Sequence, residues 1–184
     1  NKRSLPWRNT KDSYKIWLSE IILQQTQIKQ GLPYYNKFIQ TYPNVESLSD
    51  SSEQDVLKNW EGFGYYSRAR NLHKASRLVV EKYKSQFPKT YDELIKLPGI
   101  GDYSASAISS FSNDELNPVV DGNVYRFISR LFGISTVINT TASLKEFKEL
   151  LNKLICKNNP SDFNQAIMEF GALVCKPKTP NCKS

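Results

Sequence analysis

The sequence has few cysteines and no long hydrophobic run, and both shortages exclude classes of protein. Only three of its 184 residues are cysteines, an odd number that argues against a disulfide framework and fits a reducing compartment. No apolar run approaches the roughly 20 residues that a membrane-spanning helix needs, and no signal-peptide pattern is visible. We therefore expect a soluble, intracellular protein.

Negative charge is also in short supply. Lysine and arginine number 25 against 18 acidic residues, which gives a net charge of +7 and a pI of about 9.2. Such a surface attracts a polyanion, either nucleic acid or an anionic membrane. With 39% hydrophobic residues the chain is long enough to bury one core or two small ones. Its abrupt ends lead us to expect a fragment of a longer protein.

Apolar residues recur with helical rather than alternating spacing, and this pattern predicts an all-α fold of about nine or ten short helices. One apolar stripe consists of Tyr14, Trp17, Leu18, Ile21 and Ile28. Capping-box patterns predict helix starts at Ser51, Thr90 and Ser143. The prolines at positions 33, 43, 88, 98, 118 and 160 are expected to separate helices.

Residues 119–125 are ambiguous. Taken alone, they resemble a β-hairpin with an Asp-Gly turn. The helical spacing that continues over residues 124–131, and the absence of a strand-like partner nearby, favour Asp121 as the N-cap of a helix instead.

Two carboxyl groups are candidates for acid and base chemistry. Glu20 lies in a predicted helix over residues 15–27, one turn from Ile16 and Leu23, so its partial burial would raise its pKa and suit a general acid. On the residues alone, a glutamate that reaches solvent or pairs with lysine is favoured. A carboxylate such as Asp121 has its charged form favoured at a helix N-terminus.

Three further segments carry weaker signals. Gly99 and Gly101 could leave amide groups free for a phosphate, or could form an ordinary helix–helix turn. Residues 60–74 combine glycines, aromatic rings and cations, which suits insertion of a ring into a base stack, although a solvated cationic helix start also fits. The only histidine, His73, is assigned no chemistry. Cys175 and Cys182 would by themselves be two unligated thiols, because a metal site needs four ligands.

Together, five segments resemble the MutY branch of the helix-hairpin-helix DNA glycosylases, relatives of endonuclease III. The matching segments are residues 5–8, 17–27, 64–74, 120–124 and 163–172. They occur in the family's order and span nearly the whole chain.

The resemblance implies a fold of two helical modules with DNA in the cleft between them. A six-helix barrel would comprise residues 8–115 and contain the helix-hairpin-helix at about 90–110. Residues 1–7 and 116–184 would form a second module that carries a 4Fe-4S cluster. Cys175 and Cys182 would be its first two ligands, with the other two expected beyond Ser184.

The activity that the resemblance implies is hydrolysis of the N-glycosidic bond of adenine mispaired with 8-oxoguanine or guanine in double-stranded DNA. Glu20 would protonate the extruded base, and Asp121 would stabilise the cationic sugar or capture it covalently. Strand-cleaving relatives carry a lysine where this chain has Tyr103, so we expect a monofunctional enzyme without strong lyase activity. The resemblance also leads us to expect a monomer with no membrane partner, located in the cytoplasm or nucleoid, or in the nucleus of a eukaryote.

Other roles follow from the same resemblance. Tyr65 would be the wedge, Gln25 would lie near the lesion pair, and Asn123 would position the catalytic groups. The residues expected around the extruded adenine are Trp7, Arg8, Leu23 and Gln165. Those expected to contact DNA elsewhere are Arg68, Arg70, Gly99 and Gly101. The alternatives are a thymine mismatch glycosylase of the same superfamily and a catalytically inactive DNA-binding relative.

Overall fold

The computed structural model describes residues 3–182, which form ten α-helices and one short 3-10 helix at Pro6–Arg8. The α-helices are α1 Ser13–Leu23, α2 Ile28–Thr41, α3 Val45–Ser49, α4 Glu53–Asn59, α5 Tyr66–Tyr83, α6 Tyr91–Leu94, α7 Asp102–Asn113, α8 Gly122–Phe132, α9 Thr141–Leu154 and α10 Pro160–Leu173. Since this described part contains no β-strand, the all-α prediction is confirmed.

The ambiguous segment around Asp121 is the start of a helix. The Asp121 carboxylate accepts a hydrogen bond from the backbone N–H of Val124 at 2.8 Å, which satisfies one of the free donors at the beginning of α8. The N-cap interpretation is therefore confirmed, and the hairpin alternative is wrong.

Several predicted boundaries are wrong. Helix α1 ends at Leu23 rather than at residue 27. Pro33 lies inside α2, where it removes one backbone hydrogen bond without ending the helix. Ser52 caps α4, and Thr140 begins α9 by forming a reciprocal capping box with Ser143, so the predicted starts at Ser51 and Ser143 are displaced.

The apolar side chains bury themselves in two clusters. The larger cluster includes Trp17, Phe38 and Trp60, each fully buried, and also takes in Leu5 and Trp7. The smaller cluster joins α8, α9 and α10 and is centred on residues such as Val124, Ile128, Phe147 and Leu151. Burying a side chain of this size contributes roughly 1.5–3 kcal/mol. The division into modules at residues 7/8 and 115/116 remains a prediction.

A buried asparagine joins the helices of the two clusters. Asn164 on α10 is fully buried; its Oδ1 accepts from the backbone N–H of Val119 at 3.1 Å. Its Nδ2 donates to Ser110 Oγ and to the carbonyl of Asn117, both at 2.9 Å. The segment that leads into Asp121 is thus held against α7 and α10. Of the described helices, none combines the length and apolarity needed to cross a membrane.

Candidate active site

A cleft of about 710 Å³ opens where the 3-10 helix, α1, α7, α10 and the start of α8 meet. It brings together eleven of the residues predicted from the sequence: Trp7, Arg8, Glu20, Leu23, Gln25, Tyr65, Arg68, Tyr103, Asp121, Asn123 and Gln165. The predicted DNA-binding residues Arg70, Gly99 and Gly101 lie outside its lining, as do Cys175 and Cys182.

Glu20 lies in the middle of α1, where only 8% of it is exposed. Burial raises the pKa of its carboxyl group to about 7, a hydrogen bond from the Tyr103 hydroxyl opposes this shift, and the nearby negative charge of Asp121 adds to it. A carboxyl group with this pKa holds a proton near neutral pH and can deliver it to a base.

Tyr103, at the second position of α7, is close enough to both carboxyl groups for their charges to act on its hydroxyl. Burial raises the pKa of its hydroxyl well above the ordinary value, and the charges of Glu20 and Asp121 raise it further. The hydroxyl therefore stays protonated and donates to Glu20.

Asp121 is held by two hydrogen bonds, one to each carboxylate oxygen. Val124 N–H donates to one oxygen, and Asn123 Nδ2 donates to the other at 2.7 Å. Arg126 in turn donates to Asn123 Oδ1 at 2.8 Å and to the carbonyl of Gly171 at 2.6 Å. These contacts fix the amide of Asn123 and so orient the Asp121 carboxylate. The sequence reasoning did not single out Arg126.

Two further cleft residues were also missed. Glu169 on α10 accepts hydrogen bonds from Arg3 Nε at 2.7 Å, from Arg3 Nη2 at 2.6 Å and from Arg8 Nη2 at 2.7 Å. Burial raises the pKa of Glu169, but these hydrogen bonds outweigh that effect and hold it at about 2. Glu169 lies one turn beyond Gln165, which places both on one side of α10 and was the available signal.

Among the polar atoms of cleft residues that have no hydrogen-bond partner in the described part of the chain are a donor on Arg8 and an acceptor on Gln165. Arg8 Nη1 and Gln165 Oε1 are both buried and unpaired. A buried polar group left unpaired costs roughly 1–3 kcal/mol, so a ligand that supplies the complementary groups would be bound favourably.

Tyr65 and Gln25 stand at the mouth of the cleft. Tyr65 is 64% exposed, and both residues have left-handed backbone conformations, with φ of 50° and 53°. Arg68 and Arg70, which follow Tyr65 in the sequence, differ in exposure. Arg68 is buried, whereas Arg70 is exposed and lies 3.5 Å from Glu53.

The glycine turn before α7 lies beside the end of α1. Gly99 has φ of +78°, and a Cβ there would come within 2.8 Å of Asn71 Cβ, so the position requires glycine. Gly101 has an extended backbone, and a Cβ there would meet nothing within 4 Å. Gln24 Nε2 donates to the carbonyl of Gly99 at 3.3 Å, which ties the turn to the wall that carries Glu20. His73 is buried and bonds the carbonyl of Ser51 at 2.9 Å, away from the cleft.

The cysteines do not complete a cluster site. Cys175 is buried, whereas Cys156 and Cys182 are exposed, and residues 3–182 hold no group of three or more side chains able to ligate a metal. A 4Fe-4S cluster takes four cysteines, so the residues present do not fit the whole group. The two further ligands predicted beyond Ser184 lie outside the described residues.

Sequence comparison finds relatives over nearly the whole chain. The adenine DNA glycosylase of Buchnera aphidicola subsp. Schizaphis graminum (strain Sg) is 41% identical over 181 residues, which are 98% of this chain and 52% of that protein. The adenine DNA glycosylase of Homo sapiens is 39% identical over 190 residues, which are 98% of this chain and 35% of that protein. The chain therefore spans about half, or less, of the length of these curated relatives.

Solved structures share the fold. A thermostable thymine-DNA glycosylase is 30% identical and superposes with a TM-score of 0.91 over 100% of this chain and 85% of that one. A trapped covalent intermediate of endonuclease III with DNA is 23% identical, with a TM-score of 0.81 over 94% of this chain and 79% of that one, and shows the fold alone. The family model described as HhH-GPD superfamily base excision DNA repair protein matches residues 18–153, and the chain belongs to this family.

Proposed function

We propose that the protein is a monofunctional adenine-DNA glycosylase, which hydrolyses the N-glycosidic bond of adenine mispaired with 8-oxoguanine or guanine. The observation that carries the proposal is the pairing, in one cleft, of a buried Glu20 whose pKa is about 7 with a hydrogen-bonded Asp121. Glycoside hydrolysis uses two carboxyl groups, one that donates a proton to the leaving group and one that stabilises or captures the sugar.

The proposed reaction begins with proton transfer from the Glu20 carboxyl to a ring nitrogen of the adenine. The C1′–N9 bond then breaks, its electron pair leaves with the base, and the sugar becomes an oxocarbenium cation. Asp121 stabilises this cation or captures it covalently. Water adds at C1′, displacing Asp121 where it has bonded there, and passes a proton back to the Glu20 carboxylate, which leaves an abasic site and free adenine.

The free hydrogen-bonding groups of the cleft support a purine that carries an amino group. Gln165 Oε1 can accept from the amino group of adenine, and Arg8 Nη1 can donate to a ring nitrogen. Trp7 and Leu23 line the same cleft and would cover the faces of the base. The relatives that are 39–41% identical bear the name adenine DNA glycosylase, which supports the same choice.

A cleft of this kind reaches a glycosidic bond only after the nucleotide has left the duplex. The net charge of +7 favours binding to the phosphates of double-stranded DNA, and Gly99, Gly101 and Arg70 are the proposed backbone contacts. Tyr65, which is exposed at the cleft mouth, would take the space that the extruded base leaves.

Tyr103 supports a hydrolase without strong lyase activity. Strand cleavage through a Schiff base requires an amine beside the sugar. Of the described residues that line the cleft, none is a lysine, and a protonated phenol cannot form that intermediate.

The 4Fe-4S cluster remains a proposal for the full-length protein. Cys175 and Cys182 would be two of its four ligands, and the others would come from outside residues 3–182. No step of the proposed reaction runs through it.

A thymine mismatch glycosylase is the second candidate. A thymine-DNA glycosylase of known structure is 30% identical over this whole chain, and a carboxyl pair would serve either base. An inactive DNA-binding relative is less well supported, because both carboxyl groups face one cleft.

The test is base release by the full-length protein from duplexes that carry adenine opposite 8-oxoguanine, adenine opposite guanine, or thymine opposite guanine. We expect strand scission only after alkali and only on the adenine duplexes, with Glu20→Gln and Asp121→Asn each slowing base release about a hundredfold or more. Glu81→Gln, an exposed carboxyl on α5, is the matched control and should behave as wild type.

Each alternative has its own outcome. Release of thymine in place of adenine would establish the second candidate, and scission without alkali would contradict the monofunctional assignment. Binding without release of any base would leave the inactive relative.

A further inference from the structure

Two residues at the cleft mouth hold strained backbone conformations. Gln25 and Tyr65 have φ near +50°, a region that costs a residue with a side chain roughly 1–3 kcal/mol. Both are exposed and both line the cleft. Such conformations persist only where the surrounding structure imposes them.

Arg68 is the residue that binds the first of these turns. Its Nη1 donates to the carbonyls of Gln24 at 2.6 Å and Ile22 at 3.0 Å, and to Thr26 Oγ1 at 3.2 Å. The last carbonyls of a helix have no partner within it and carry the negative end of its dipole. The guanidinium therefore caps α1 and fixes the turn that presents Gln25.

The flat faces of the same guanidinium contact aromatic rings at and before the second turn. Its carbon lies 5.3 Å from the ring centroid of Trp60, 4.9 Å from that of Phe63 and 5.3 Å from that of Tyr65, within the range of cation–π attraction. Arg68 Nε and Nη2 are buried with no hydrogen-bond partner among the described residues. One buried cation thus holds α1 by hydrogen bonds and Tyr65 by its ring.

We propose that Arg68 is a positioning residue that holds Gln25 and Tyr65 as a single preorganised pair, so that both enter the duplex together when the base is extruded. The proposal rests on the proposed glycosylase function. It replaces the direct DNA contact that the family resemblance implied for Arg68, because Arg68 is only 8% exposed and its bonded nitrogen already faces protein carbonyls.

Arg68→Lys distinguishes a positioning role of the guanidinium from a contact to phosphate that needs only the positive charge. Lysine keeps the positive charge but lacks the planar guanidinium that donates and stacks at the same time. Arg77→Lys, at an exposed position on the same helix, is the matched control. The readouts are the salt dependence of duplex binding, the fluorescence rise of 2-aminopurine placed at the target position, and single-turnover base release.

We expect Arg68→Lys to slow 2-aminopurine extrusion and base release about tenfold or more, with an unchanged salt slope of binding, while Arg77→Lys matches wild type. This reduction in rate should be smaller on a duplex with a one-nucleotide gap opposite the target, where the base is less firmly stacked. In a Tyr65→Ala background Arg68→Lys should cost less than it does in wild type, because only the Gln25 turn is then left for the arginine to hold.

Thr26→Val is the milder second variant if Arg68→Lys lowers the yield of folded protein. It removes one acceptor of Arg68 and should slow extrusion by a smaller factor. Because lysine keeps the charge, unchanged extrusion and base release by Arg68→Lys would identify a charge-only contact to phosphate, and equal, additive losses on all duplexes would identify a merely structural residue; either result overturns the proposal.

Extrusion is measured without bond cleavage, so the two proposals fail separately. Wild-type protein that extrudes 2-aminopurine but releases no base would contradict the glycosylase function and leave the Arg68 comparison intact. Wild-type protein that does not extrude the base would overturn the role of Arg68.

Discussion

At the scale of single residues, Glu20 couples the chemistry of the cleft to the stability of the fold. Burial raises its pKa from 4.5 to about 7, so its contribution to stability is fully present below pH 4.5 and is lost as pH rises through 7. The loss amounts to about 3 kcal/mol in the free energy of unfolding. Glu20→Gln carries no proton to lose, so we expect this variant to be more stable than wild type near pH 8 and similar near pH 4.5.

Urea unfolding at these two pH values tests the prediction. Glu81→Gln should show no such pH-dependent difference, because that carboxyl is exposed. A Glu20→Gln variant less stable than wild type at both pH values would mean that the carboxylate, not the acid, is the form favoured by the fold.

Tyr103 also affects the pKa of Glu20. Its hydrogen bond lowers the pKa of Glu20 against the larger effect of burial, so Tyr103→Phe should raise that pKa. If protonated Glu20 is the general acid, base release falls above its pKa, and the fall should move to higher pH in the variant. Single-turnover rates across the pH range measure this shift, with Tyr83→Phe as a control. A shift to lower pH would show that the phenol does not favour the carboxylate.

The residues of the site differ in how well the sequence predicted them. Local patterns made Glu20 and Asp121 candidates, one turn from apolar residues and beside a helix-starting glycine, but the family resemblance was needed to assign them catalytic roles. Arg3 and Glu169 were missed because they are 166 positions apart, and local periodicity contains no information about which distant segments meet.

At the scale of helices, the distinction between local and distant contacts explains which helix boundaries were predicted correctly. Asp121 caps its own helix three residues on, so the start of α8 was predictable. The end of α1 was not, because the residue that binds its last carbonyls is Arg68, 44 positions from Gln24. Pro33 was predicted to end a helix, whereas the packing of α2 against α1 keeps that helix continuous.

The contact between α8 and α10 depends on Gly171. A Cβ at this position would lie 2.6 Å from the carbonyl oxygen of Asn123 and 2.8 Å from its Cβ, so Gly171→Ala must push the two helices apart. We expect a loss of about 1–3 kcal/mol in the free energy of unfolding, and slower base release because Asn123 holds Asp121.

Gly122→Ala provides the matched control for stability, since a Cβ there meets nothing within 4 Å. Because alanine favours helix over glycine, that variant should be as stable as wild type or slightly more so. Thermal unfolding of both variants measures the difference. A Gly171→Ala protein as stable as wild type would contradict the close approach of the two helices.

At the scale of the whole molecule, the cleft exists because two hydrophobic clusters meet at a polar junction. The sequence predicted two modules with a cleft between them only through family resemblance, since composition and periodicity say nothing about how modules pack. Nor did they predict that Leu5 and Trp7 join the larger cluster, which brings the 3-10 helix to the cleft wall.

Asn164 is the buried centre of that junction, and we expect its loss to affect both stability and geometry. Asn164→Ala leaves the Val119 N–H and the Asn117 carbonyl without their partner, which should lower the free energy of unfolding by about 2–4 kcal/mol. Asn152→Ala, at an exposed position on α9, should be neutral.

The form of the unfolding transition carries further information about the junction. If Asn164 couples the two clusters, wild type should unfold in one transition, whereas Asn164→Ala should separate the loss of the α8, α9 and α10 cluster from that of the larger one. Calorimetry together with hydrogen exchange at Val124 and Leu18, one residue from each cluster, resolves the two events. A single transition with uniform loss of protection would mean that the clusters are joined by their apolar contacts, with Asn164 adding stability but not coupling them.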